Sequence, residues 1–182
     1  MAKINILRSK TSHFAFSLLT LIFCIYFQSC LLAKMSSPWF YIDIVSIVVI
    51  YMCIEHFLFL SIIKILFAAL LMQISSAAPN GFYIMYFLLV LVFSNLLSRI
   101  FVISSFLGQT FIFMSLFFLK YLLFYFTIVP RGFTTALYLI ASSWQGFFVT
   151  ILIALPVFRL LIYIDSFFEY LPSYEKKKIN EI

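Results

Sequence analysis

This chain has little charge for its length. Only 10% of its 182 residues are Asp, Glu, Lys or Arg, against roughly a quarter in an ordinary soluble domain. A water-exposed surface cannot be built from so few ionised groups, and the class of soluble globular domains is excluded. Glycine is also scarce, with 4 residues, and proline little commoner, with 5. These few breakers sit mostly between long apolar runs. Cysteine numbers 3, an odd set: Cys24 and Cys30 share one apolar run and Cys53 lies in another. That spacing suits packed thiols and no metal site. Strict alternation of apolar and polar residues is missing too, which argues against an outer-membrane β-barrel.

Present instead are 65% hydrophobic residues, 21% aromatics with 25 Phe among them, and a mean hydropathy of +1.17. Such a chain belongs in lipid. The expected fold class is all-α, a polytopic membrane helix bundle of about six spans, since a span needs about 20 apolar residues. The formal charge of +6 is spread along the chain and gathers near the ends of apolar runs. Orientation signals are the better account of it than nucleic-acid contacts, and the bilayer itself is the partner that composition implies.

The stretch around which the chain is organised runs from Gln73 to Arg99. It opens with the small polar turn Ser75-Ser76-Ala77-Ala78-Pro79-Asn80-Gly81 and continues as an apolar run ending on Asn95, Ser98 and Arg99. Pro79 fixes its own φ and Gly81 tolerates positive φ, so two helices can reverse here. Ser76, Pro79, Asn80 and Gly81 are therefore candidate residues of a structural or partner-binding turn.

Taken in order, residues 1–13 form a basic segment with Lys3, Arg8 and Lys10, and residues 14–165 the helix bundle. Phe14 to Ala33 exceeds the apolar region of a signal peptide and reads as a retained first span. Phe40 to Met72 is too long for one span, and two helices, Phe40 to Ile54 and Phe57 to Ile74, divide it near Glu55 and His56. Further spans are expected at Phe82 to Ile103, Phe106 to Val129 and Gly146 to Ile164, the last carrying a kink at Pro156. Thr134 to Ser143 is short and mildly apolar, and is expected as an interfacial or re-entrant segment. Residues 166–182 form a polar tail with Lys176, Lys177 and Lys178. Lys3, Arg8, Lys10, Arg99, Arg159 and the tail lysines fall on one side, Lys34 and Arg131 on the other, which places both termini in the cytoplasm.

Asp43, Gln73, Arg99, Lys120 and Arg159 are the intramembrane polar candidates, because polar groups in apolar runs are costly unless paired or snorkelling. Lys120 sits deepest, with Ser115 and Tyr125, each somewhat more than one helical turn away, polar enough to help. Arg159 and Asp165 stand too far apart for a helical pair. Glu55, His56 and Lys64 are the residues an intramembrane enzyme would use. No HExxH pattern, glycine-rich phosphate loop or nucleophile turn accompanies them. Catalytic residues, metal ligands and cofactors are accordingly not expected.

Three stretches carry a resemblance: Pro38-Trp39-Phe40-Tyr41-Ile42-Asp43, then Ser76-Ala77-Ala78-Pro79-Asn80-Gly81-Phe82 ahead of a helix ending in Arg99, and Ile151-Leu152-Ile153-Ala154-Leu155-Pro156. On these the chain resembles the rod shape-determining protein MreD family of bacterial inner-membrane proteins, from about Pro38 to Asp165. It departs from that family at Gln73, where the family has an acidic residue ahead of the turn. The resemblance implies a non-catalytic, multi-pass inner-membrane component of the cell-elongation machinery. Its partners would be MreC, a periplasmic coiled-coil protein, and other membrane proteins that direct peptidoglycan side-wall synthesis. The alternative is a substrate-binding subunit of a vitamin uptake transporter, an S-component-like bundle of similar size. Four glycines are few for the small-residue grooves such a subunit needs.

Overall fold

The structure, a computed structural model, describes residues 2–31, 42–55, 58–76, 78–101, 105–128 and 133–167. They form six α-helices and, among the described residues, no strand. Helix α1, Ala2–Tyr26, passes into a short π-helical turn at Phe27–Leu31; α2 is Ile44–Glu55, α3 Leu58–Ser75, α4 Phe82–Ile100, α5 Phe106–Ile128 and α6 Phe133–Phe167. His56, Pro38 to Tyr41, Lys34, Arg131 and the tail lysines lie outside the described residues.

Four helices are long and apolar enough to cross a bilayer, over His13–Cys30, Phe82–Ile100, Phe106–Thr127 and Gly146–Ser166. The chain is a multi-pass membrane protein. Its outer surface is apolar, with Leu19, Phe23, Phe118 and Leu152 each more than 60% exposed, as a protein solvated by lipid requires.

Helix α2 is the centre. Every residue from Val45 to Ile54 is buried, so it is enclosed on all sides, packed against α1, α3, α4 and α6. At 12 residues it rises only about 18 Å, less than the roughly 30 Å hydrocarbon layer. A short helix is tolerable there because protein, not lipid, surrounds its ends. Ala68 and Ala69 of α3 are fully buried and let α3 approach its neighbours closely.

One expectation is corrected. Thr134 to Ser143 is not a separate interfacial segment; it is the first part of α6, a single helix of 35 residues. No glycine or proline stands between Phe133 and Gln145 to end it. Pro156 lies inside this helix, which continues on both sides of it. A proline removes one N–H and crowds one carbonyl, which a long helix supported by packed neighbours can absorb. Helix α2 starts at Ile44, four residues later than the Phe40 expected for the second span, and the reason lies in Asp43.

Candidate functional site

Three polar features interrupt the apolar bundle. The turn between α3 and α4 stands at one end, an ion pair lies beneath it, and a histidine–aspartate cluster closes the opposite end.

The turn is built as its residues demand. Gly81 takes φ +82 at the start of α4, and a Cβ added there would meet nothing within 4 Å, so only the dihedral asks for glycine. The Phe82 N–H donates to the Pro79 carbonyl at 3.1 Å and the Met85 N–H to that of Gly81 at 3.0 Å. Gln73 braces the reversal from α3. Its Nε2 donates to the Pro79 carbonyl at 3.1 Å, and its Oε1 accepts from the Tyr83 N–H at 3.2 Å. An ionised carboxylate could accept but not donate, so the amide at this position ties both arms of the turn together. Ser76 Oγ accepts from the Ala78 N–H at 3.4 Å. Asn80 and Gly81 are exposed at the tip.

Asp43 caps α2. Its Oδ1 accepts from the Ser46 N–H at 3.1 Å while Gln28, from the π-helical turn, accepts the Val45 N–H at 2.9 Å. Two of the N–H groups that a helix start leaves unpaired are thereby satisfied inside the bundle. Gln28 Nε2 also donates to Asp43 Oδ1 at 3.1 Å, the Ser46 hydroxyl donates to Oδ2, and the Asp43 N–H donates to Thr150 Oγ1 of α6 at 3.2 Å. Onto this carboxylate Lys120 of α5 places its ammonium, in an ion pair whose side chains are 20% and 10% exposed. The Lys120 Nζ also lies 5.8 Å from the ring centres of both Tyr83 and Tyr86, within cation–π range. Lys120 thus finds its partner on another helix, and not in Ser115, which is exposed, or Tyr125 on its own. Asp43 joins the π-helical turn, α2, α5 and α6 at one point.

At the other end, His13 Nε2 of α1 lies 2.8 Å from Asp165 Oδ1 of α6, with both residues buried. The Tyr51 hydroxyl of α2 donates to the second oxygen, Oδ2. One turn along α1, Lys64 of α3 donates to Ser17 Oγ and stands 5.0 Å from the Phe14 ring centre. Ser61 of α3 donates to the Met52 carbonyl at 2.8 Å. Four helices are stitched together here, first and last included.

Arg99 and Arg159 are exposed. Neither makes an ion pair among the described residues, and Asp165 serves His13 and Tyr51 in place of Arg159. Sequence reasoning missed His13, Ser17, Tyr51 and Asp165 as site residues. A signal was present: His13 begins the first apolar run and Asp165 ends the last, and an up-and-down bundle with an even number of helices brings those two points to the same end. Among the described residues no group of three His, Cys, Asp or Glu side chains gathers to hold a metal.

Comparison of the chain with family models, with curated proteins and with solved structures finds no match in any of the three.

Proposed function

We propose that this chain is a non-catalytic component of the bacterial cell-elongation machinery. It sits in the inner membrane with both termini in the cytoplasm and binds an MreC-like periplasmic coiled-coil protein through its outer end. The observation that carries the reading is the Pro79-Asn80-Gly81 turn. It is exposed at its tip, pinned by Gln73 from below, and matches the stretch on which the family resemblance rests. A rigid, protruding turn is a surface for a partner, because little ordering entropy is lost when it is bound.

The polar interior supports the same reading. Asp43 has both carboxylate oxygens engaged by Gln28, Ser46 and Lys120, an arrangement that holds helices together. A groove of about 190 Å³ between α5 and α6 is lined by Phe118, Tyr121, Trp144 and Phe147, which is a poor fit to a polar vitamin.

The test is co-purification of the full chain with an MreC-like protein from the same cell. Replacing Asn80 by Ala changes the tip's surface while leaving the backbone's needs unchanged. Replacing Gly81 by Val opposes the positive φ. Recovery of the partner is expected to fall at least several-fold with both variants. Undiminished recovery with both would remove the turn as the docking surface, and failure of the wild-type chain to retain any such protein would overturn the functional reading.

A further inference from the structure

At the end of the bundle closed by His13 and Asp165, the basic residues Lys3, Arg8, Lys10, Arg99 and Arg159 outnumber the acidic ones, Asp165 itself and Glu55 at the end of α2. Helices α1 and α3 begin there, and α2, α4 and α6 finish there, as the His13–Asp165, Tyr51–Asp165 and Lys64–Ser17 contacts require. Helix α4 is turned back on α3 at the opposite end, so its last turn, with Arg99, returns to this one. Arg159 lies on the final stretch of α6, six residues before Asp165. Both arginines are exposed. The carboxylate nearest to Arg159 in sequence, Asp165, is 8% exposed and held by His13 and Tyr51, so it does not neutralise them. Ahead of His13, helix α1 continues back to Ala2, about 16 Å of rise. That segment contains Lys3, Arg8 and Lys10 and no acidic residue.

We propose that this end of the bundle binds anionic phospholipid headgroups, with Arg99 and Arg159 as the residues that contact lipid phosphate. The argument is one of charge complementarity and depth. Both arginines are exposed on helices apolar enough to cross a membrane, Arg99 in the last turn of α4 and Arg159 about 10 Å before the end of the apolar stretch of α6. From there a guanidinium reaches up to the headgroup layer and meets a phosphate through two parallel N–H donors. A lysine at either position would supply the charge without the fork. The inference does not depend on which partner protein the chain serves, nor on the turn at Pro79.

The test is native mass spectrometry of the full chain in mild detergent, with phosphatidylglycerol or phosphatidylcholine added at equal concentration. Wild type is expected to retain the anionic lipid in preference. Arg99→Gln and Arg159→Gln should each lower that preference about five-fold, the amount one charge near a membrane surface is worth, and the double variant should lower it further. Arg159→Lys should keep part of it. Arg131→Gln, which removes the same charge from the sequence between α5 and α6, should leave it unchanged. Equal retention of the two lipids by wild type would overturn the proposal, as would an unaltered preference in the double variant or an equal loss with Arg131→Gln. An end that docks an acidic protein segment instead would give the first of these results.

Discussion

Asp43 and Lys120, 77 residues apart in the chain, form an ion pair that ties the start of the central helix to the middle of α5. The same carboxylate caps α2 through the Ser46 N–H. One side chain therefore begins a helix and fixes its neighbour.

Breaking that pair from either side should be costly. Asp43→Asn keeps a side-chain oxygen able to cap α2 but leaves the Lys120 ammonium without its counter-charge. Removal of one partner of a buried pair destabilises by about 3 kcal/mol or more. Thermal unfolding of the purified chain in detergent should show a clear fall in midpoint for Asp43→Asn and for Lys120→Met. The double variant should be more stable than the sum of the two losses predicts, because neither charge is then stranded. Simple additivity would mean that the two side chains act independently.

How much of this was legible from residues alone depends on the distance over which each feature is determined. Helices α3, α4 and α5 lie close to where the apolar runs between Glu55, Pro79 and Pro130 place them, since a span and its breakers are local features. The Gly81 turn is equally local. Which helices lie side by side is not. Lys120 has polar residues somewhat more than one helical turn away, Ser115 and Tyr125, yet its partner comes from the start of α2 because the bundle folds α5 against α4 and α6. Asp165 reads as the boundary of a polar tail until α1 is seen beside α6. Continuity of α6 was hidden for another reason: the stretch before Gly146 is mildly apolar and too short to read as a span by itself, although nothing in it stops a helix.

The brace at the turn gives a second prediction. Gln73→Glu removes the donor to the Pro79 carbonyl and sets a carboxylate beside it, which should loosen the tip by about 1 kcal/mol, the net worth of a typical hydrogen bond. Faster modification of a cysteine placed at Asn80 would report this. Gly81→Ala should act on the same readout through the dihedral alone, at a cost of about 1–2 kcal/mol for a left-handed residue with a Cβ. Because no atom lies near that Cβ, Gly81→Asn should be tolerated better than Gly81→Ala.

A third prediction concerns the clasp between the first and last helices. Tyr51→Phe removes one donor from the buried Asp165 carboxylate, and hydrogen bonds to charged groups contribute about 1.5–3 kcal/mol. Unfolding of this variant should begin at a lower temperature than wild type. His13→Leu should do the same, and the combination should fall short of the summed losses, since both side chains serve one carboxylate. If Tyr51→Phe unfolds as wild type does, Asp165 draws its support from elsewhere.

The orientation of the whole bundle follows from where its cations lie and can be read chemically in intact cells. Under the proposed topology Asn80 faces the periplasm, while Arg99 and the segment ahead of His13 face the cytoplasm. The 3 native cysteines would first be replaced by serine or alanine. A single cysteine at Asn80 should then react with a membrane-impermeant maleimide added outside spheroplasts, whereas one at Ser9 should react only after the cells are opened. If all six helices cross, these two results are a single statement: the α3–α4 turn and the start of α1 are then separated by three membrane crossings, an odd number. Labelling of both sites from the same side would require one of α1, α2 or α3 not to cross. Helix α2 is then the one to suspect, because its 12 residues are the shortest of the six and are wrapped by protein along their length.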